Sequence, residues 1–215
     1  MRRERSVKSG FVIGSVCVLA AALGLGAPAS AAEGRKWAET FDFAVVGGFA
    51  ALDVTGANGD VDHDPGWAAG FLVGYNFTSW LGVQFEYTSQ NTQARAEVGG
   101  LPPVDCVIDR CDVSTHAFGL SGVWNFPGER YFVHFAKIGA GGYTTLAGDF
   151  SGSGGYVGFG LGTRFFPFAE RPLNLRLEAE LDGYFPGKAA VLGQDISTHS
   201  TANVRISAGI GYLFD

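Results

Sequence analysis

The charges between positions 176 and 182 are the part of this sequence that most suggests chemistry. Arg176, Glu178, Glu180 and Asp182 alternate with leucine and alanine. A spacing of two residues puts side chains on one face of a β-strand, and neighbouring carboxylates are the groups that general acid–base catalysis uses. Five further charged residues also lie opposite the aliphatic positions of their segments: Asp42, Glu86, Lys137, Arg164 and Arg205.

These nine residues comprise four cations and five acids, a nearly balanced set. Charges enclosed in a narrow interior must be paired or hydrated. Ion-pair networks arise wherever such a polar interior is closed, so we interpret the set as a structural network. A catalytic cluster around Glu178 and Glu180 is the alternative, and we predict no catalytic residue.

One histidine has hydroxyl neighbours that suggest a nucleophile and its base. His199 stands beside Ser197, Ser200 and Thr201. Adjacent strand positions point to opposite faces, which weakens a pairing of His199 with Ser200. We therefore expect the protein not to be an enzyme.

The segment 58–64 carries acids at positions 60, 62 and 64. Clustered carboxylate oxygens suit hard cations such as Ca²⁺. Pro65 and Phe71 occupy places where the EF-hand pattern requires glycine and glutamate. The segment predicts a solvated acidic loop and leaves weak divalent binding open, and we predict no metal or cofactor site.

The amino terminus has the form of an export signal. A basic start precedes an apolar run from Phe11 to Gly26, and Ala29-Ser30-Ala31 fits a signal-peptidase site. We predict a signal peptide over residues 1–31 and one domain over 32–215. Losing four of the 15 bases and one of the 21 acids leaves a net charge of −9, which argues against nucleic-acid binding.

Two cysteines remain after the predicted signal peptide, Cys106 and Cys111. An even number in an exported chain predicts a disulfide, because the compartment is oxidising. With four residues between the two cysteines, the bond would constrain a loop tip.

Period-two alternation predicts eight strands, at about residues 40–51, 66–77, 80–90, 113–126, 130–142, 155–166, 172–184 and 201–214. All seven prolines after residue 31 fall in the predicted connections or at strand ends, as a continuous sheet requires. Short connections alternate with longer ones at 52–65, 91–112, 143–154 and 185–200. An even number of strands with this alternation predicts an antiparallel up-and-down transmembrane β-barrel.

A soluble eight-stranded barrel of the lipocalin kind is the structural alternative. Glycines on the polar face, such as Gly158, Gly160 and Gly162, relieve crowding inside a narrow barrel. The opposite faces are continuously aliphatic, as at Leu173, Leu175 and Leu177, and aromatic residues gather beside the short connections. These features favour a membrane-spanning barrel with an interfacial aromatic girdle.

The chain resembles the eight-stranded outer-membrane proteins of the OmpA/OmpX type. The segments that carry the resemblance are 71–77 (FLVGYNF), 80–87 (WLGVQFEY), 137–143 (KIGAGGY), 158–164 (GFGLGTR) and 209–214 (GIGYLF). The resemblance implies an interior filled by ion pairs and a carboxyl-terminal strand read by the outer-membrane insertion machinery. Such proteins usually end on an aromatic residue, whereas Phe214 is followed here by Asp215. The resemblance also implies contact with outer-membrane lipid including lipopolysaccharide. We expect a monomer without a periplasmic domain.

Three functions remain open on the sequence. The first is a structural or surface-interaction protein in the outer membrane of a Gram-negative-type bacterium, contributing to envelope integrity or adhesion through its outer loops. The second is a small porin-like channel for ions or small solutes. The third is a lipid-modifying enzyme of the outer membrane. A barrel fold alone does not choose among them, because fold does not determine function.

Overall fold

The structure is a computed structural model that describes residues 38–56, 59–96, 111–127, 131–147, 150–168, 171–191, 194–196 and 201–214. The predicted signal peptide, Cys106 and His199 lie outside these residues, so the predictions about them stay predictions. In this part of the chain the strands are β1 (Thr40–Gly56), β2 (Gly59–Asn76), β3 (Leu81–Ala96), β4 (Cys111–Pro127), β5 (Phe132–Ala147), β6 (Phe150–Phe165), β7 (Leu173–Val191), β8 (Gln194–Ile196) and β9 (Thr201–Phe214). None of these residues forms a helix long and apolar enough to cross a membrane.

The eight long strands close into one antiparallel barrel. Each of β1 to β7 pairs with the next strand in sequence, and β9 pairs with both β7 and β1. The short β8 is an addition at the end of β7, where Ala189 pairs with Ile196. The prediction of an eight-stranded antiparallel barrel is confirmed.

The register fixes the tilt of the strands. A path that starts at Phe41 and follows the paired residues once around the barrel returns to β1 at Ala51, ten residues further along. Eight strands with this stagger tilt by about 40°, so each residue advances about 2.5 Å along the barrel axis. The ten residues from Phe41 to Ala51 therefore rise about 25 Å, the height of a membrane-spanning apolar band.

The outer surface of the barrel is apolar over this height. Its exposed side chains include Phe43, Val45, Phe71, Val73, Phe85, Leu120, Ile138, Phe159, Leu177, Leu181, Ile206 and Ile210. Aromatic side chains are exposed beside the short connections: Phe77, Trp80, Trp124, Phe126, Tyr131, Phe168 and Phe214. The outward positions become polar near the other end of the barrel. On β3 this change occurs at Asn91, which pairs with Trp67 of β2, and on β4 it occurs at Ser114, beyond Phe118. This pattern sets an apolar belt between an aromatic girdle and a polar rim.

The strands continue further at the rim than predicted. Thr55 pairs with Asp60, so residues 59–64 of the predicted acidic loop belong to β2. Ala147 pairs with Phe150, which shortens the predicted 143–154 connection to residues 148–149. Both faces of a strand are in water above the membrane, so the period-two signal fades there although backbone pairing continues.

Two prolines depart from the sequence prediction. Pro65 lies inside β2 and Pro186 inside β7, not in connections. Each lies at a register shift, the first between Asp64 and Trp67 and the second opposite Gly154. A β-bulge leaves one residue out of the hydrogen-bonded ladder, which is why proline is accepted there.

Candidate functional site: the charged lumen

All nine charged residues that the sequence selects point into the barrel and are buried. They lie on six strands: Asp42 on β1, Glu86 on β3, Lys137 on β5, Arg164 on β6, Arg176, Glu178, Glu180 and Asp182 on β7, and Arg205 on β9. No other charged side chain is buried among the residues whose burial the structure describes. The strict alternation of each strand brings them together, since every second side chain faces the lumen.

Glycines on β6 leave space for this network. A Cβ atom added to Gly160 would lie 2.8 Å from Cε and 3.0 Å from Cγ of Lys137, and 3.2 Å from Oε1 of Glu178. These distances leave no room for a larger side chain unless Lys137 moves. Long side chains such as Lys137 and Glu178 therefore fill the lumen, and glycine on β6 provides the space that they occupy.

We expect Gly160→Leu to lower the free energy of unfolding by about 1–3 kcal/mol through overpacking. Gly183→Leu on β7 is the matched control, because a Cβ there would meet only Val157, at 3.9 Å. Urea titration of the refolded barrels measures both values. Equal stability of the two variants would show that the lumen has spare volume at Gly160.

Lys137 is the centre of the network. Its Nζ atom lies 2.5 Å from Oε2 of Glu86, 2.5 Å from Oε1 of Glu178 and 3.1 Å from Oε1 of Glu180. Oxygens of these three carboxylates lie within 4.8 Å of one another, a spacing that can hold a metal ion. The ammonium group of Lys137 stands among them, so the cation at this position is the protein's own.

Arg205 connects the same carboxylates from β9. Its Nη2 atom contacts both Glu86 and Glu180, and its Nη1 atom donates a 2.8 Å hydrogen bond to Oγ1 of Thr88. Glu86 and Glu180 stand on β3 and β7, which are not neighbours in the sheet. The guanidinium group therefore ties separate parts of the barrel wall together across the lumen.

A second group of ion pairs lies nearer the short connections. Oδ2 of Asp42 is 3.0 Å from Nη2 of Arg164 and 3.6 Å from Nη1 of Arg176. Nε of Arg176 is 3.0 Å from Glu178, which links this group to Lys137. Both guanidinium groups also lie over the ring of Phe135, with 4.7 Å and 4.3 Å from Cζ to the ring centre. Cations over an aromatic face gain attraction that grows when water is excluded.

Neutral polar groups and then apolar groups close the lumen at the end of the short connections. Arg164 donates from Nη1 to Asn125 (2.7 Å), and Asn125 donates to Asn76 (3.0 Å). Asn76 in turn donates to Oγ1 of Thr40 at 3.1 Å. Beside these residues, the buried side chains of Val133, Phe166 and Leu213 pack into an apolar cluster. This end of the barrel is sealed by packed side chains.

The outer end of the lumen is different in composition. Nδ2 of Asn203 donates toward Gln90 (3.2 Å), Asp182 (3.5 Å) and Tyr184 (3.5 Å). Tyr184 packs with Tyr156 and Tyr143, at 5.7 Å and 4.7 Å between ring centres. Asp182 is the one predicted residue here, and it stands apart from the ion-pair chain.

The sequence selected the charged residues but missed their neutral partners. Gln84 accepts a 2.8 Å hydrogen bond from Nη2 of Arg176, and Asn125 and Thr88 bind Arg164 and Arg205. A signal was present, since Gln84 shares its strand parity with Glu86. Every polar residue of that parity can be predicted to face the lumen, because alternate side chains of a strand in a closed barrel point to the same interior.

The arrangement supports structure rather than acid–base chemistry. Glu178 and Glu180 are only 4% and 6% exposed, and both carboxylates form ion pairs with buried lysine or arginine side chains. General acid–base catalysis needs a group within reach of a substrate proton. What this geometry does is bind strands to one another.

A closed antiparallel barrel with an apolar belt outside and ion pairs inside defines the transmembrane barrels of bacterial outer membranes. The family model for the outer membrane protein beta-barrel domain matches residues 17–214. The chain belongs to this family, and its location is the outer membrane.

Solved structures agree on the fold. The chain is similar to Neisserial surface protein A, with 13% identity and a TM-score of 0.54, covering 80% of this chain and 97% of that one. It is also similar to OprG from Pseudomonas aeruginosa (16% identity, TM-score 0.52, 86% of this chain and 99% of that one). The outer membrane protein AlkL gives 14% identity and a TM-score of 0.53, over 89% of this chain and 97% of that one. A comparison with functionally curated proteins finds no match.

Proposed function

We propose that the protein is a structural and surface-interaction barrel of the outer membrane whose lumen is closed to solutes. The observation that carries the proposal is the continuous chain of ion pairs across the lumen. It runs from Arg164 through Asp42, Arg176 and Glu178 to Lys137. From there Glu86 and Glu180 continue it to Arg205.

The network also explains how a narrow barrel becomes rigid. Lys137 on β5 reaches Glu86 on β3, and Arg176 on β7 reaches Asp42 on β1. Neither pair joins neighbouring strands, because β4 lies between the first two and β9 between the second two, so each contact braces the wall beyond the backbone ladder. The apolar cluster at Phe166 closes the end below them. A rigid barrel with a closed lumen is suited to presenting an interaction surface outside the cell and is not suited to conducting ions.

The outer ends of the strands supply that surface. β7 continues to Val191 and β3 to Ala96, well past the residues that face the apolar belt. The paired strands thus form a stiff collar outside the membrane. We propose that this collar and its loops contact lipopolysaccharide and outside partners, that the final strand engages the insertion machinery, and that the protein acts as a monomer.

Planar-bilayer recording tests the closed lumen. We expect the purified wild-type protein to insert without stable conductance steps, because charged side chains fill the bore. An open sixteen-stranded porin in the same bilayer serves as the positive control for insertion and recording. Large, steady steps from the unmutated protein would replace this proposal with the small-channel function.

A further inference from the structure

The charges of the lumen residues whose burial the structure describes do not balance, and the geometry shows where the excess lies. The described lumen holds four cations and five carboxylates. Four of the carboxylates, those of Asp42, Glu86, Glu178 and Glu180, form the ion-pair chain with all four cations. The fifth, Asp182, forms no ion pair with any Lys or Arg that the structure describes.

Asp182 is nevertheless deeply buried, with 1% of its surface exposed. Its Oδ2 atom receives one long contact from Nδ2 of Asn203, at 3.5 Å, and its Oδ1 atom has no hydrogen-bond partner. The guanidinium group of Arg205 is already engaged by Glu86, Glu180 and Thr88. An unpaired carboxylate in such a place costs several kcal/mol, so something neutralises it.

The surroundings of Asp182 are rich in oxygen. Oδ1 of Asn203 is also buried without a partner, while its Nδ2 atom is directed at three oxygens. The hydroxyl group of Tyr184 and the amide of Gln90 complete this layer. The carboxylate oxygen Oδ1 of Asp182 and the amide oxygen Oδ1 of Asn203 are both buried without a partner among the described residues, and oxygens of these two kinds are ligands that hard cations prefer.

We propose that the outer part of the lumen binds a small inorganic monovalent cation, such as Na⁺ or K⁺, at Asp182 and Asn203. A single positive charge balances the nine described lumen charges, which favours a monovalent ion. The ring of Tyr184, two residues along β7 from Asp182, packs against those of Tyr143 and Tyr156, which leaves less room for a bulky organic ammonium ion than for an inorganic ion. Phe166 and its neighbours seal the opposite end, so the ion enters from outside the cell.

The stability of the full mature protein in detergent tests the proposal. Na⁺ or K⁺ is added against choline at constant chloride and constant ionic strength, which removes general screening from the comparison. We expect the unfolding temperature to rise with the inorganic ion, by roughly 5 °C near saturation. Asp182→Asn should abolish the response, and Leu181→Ala, on the same strand but facing lipid, should keep it.

A second variant and a pH series complete the test. If Asp182→Asn does not fold, Asn203→Ala keeps the charge and should shift the response to higher ion concentration. The ionisable groups around Asp182 are Glu180, Glu86, Arg205, Lys137, Tyr184 and Tyr156. Stability that ignores the cation but rises as the pH falls, in the wild type and not in Asp182→Asn, would show that a proton balances the charge and would overturn the proposal. An unchanged response in both Asp182→Asn and Asn203→Ala would also overturn it.

Discussion

Replacing Lys137 with methionine is expected to lower the free energy of unfolding by about 3–5 kcal/mol, because it leaves buried carboxylates without their shared cation. The substitution keeps most of the side-chain volume, so packing changes little. Glu86 and Glu180 would retain Arg205, and Glu178 would retain Arg176, but all three would lose the charge at their centre. Urea titration in detergent, followed by tryptophan fluorescence, measures the difference.

Two controls separate charge from packing in this experiment. Ile138→Met changes the neighbouring residue, which faces lipid, and should cost far less. The double variant Lys137→Met with Glu86→Gln removes one of the uncompensated carboxylates, so it should recover part of the lost stability. If Lys137→Met were as stable as the wild type, water or ions in the lumen would be screening the carboxylates and the closed network would be wrong.

A charge on the lipid-facing side should be costly in proportion to its depth. Ile138 is 55% exposed and stands near the middle of the apolar belt, about 12 Å from either edge by the register. We expect Ile138→Arg to cost about 2–4 kcal/mol, and Leu175→Arg, close to the aromatic girdle, about 0–1 kcal/mol. Unfolding of both variants from lipid vesicles gives the two values.

The order of the two costs is what checks the placement of the belt. Both residues lie on the outward face, so a simple loss of packing would affect them alike. A larger cost at Leu175 than at Ile138 would mean that the belt is centred nearer the short connections. Harmless arginines at both positions would mean that the faces of the barrel had been assigned in reverse.

The sequence predicted the faces of the strands well because a strand has only two. The side chain of every second residue meets the same environment, so the parity of Arg176 also assigned Glu178, Glu180 and Asp182 to the lumen. The number of strands followed from the same alternation. These properties are local, and a single sequence carries them.

The ends of the strands and the partners inside the lumen could not be predicted in the same way. Polar residues such as Asn91 and Gln93 suit an exposed loop as well as a strand above the membrane. Which acid meets Arg205 depends on the stagger of ten residues, which only the closed barrel has. The lack of an ion pair at Asp182 among the described residues could not be predicted either, because it depends on which acids the cations of the lumen contact.

The contacts across the lumen also determine the order in which the barrel can be assembled. Arg205 is 119 residues from Glu86 and 117 from Thr88, and Lys137 is 51 from Glu86. The two contacts of Arg205 cannot form until the last strand has reached the first, whereas Lys137 and Glu86 lie on β5 and β3, which already share β4 as a neighbour. A sheet that entered the hydrocarbon strand by strand would bring bare guanidinium and carboxylate groups with it. The barrel must therefore close while its inner face is still hydrated, and closure and insertion into the membrane form one cooperative step.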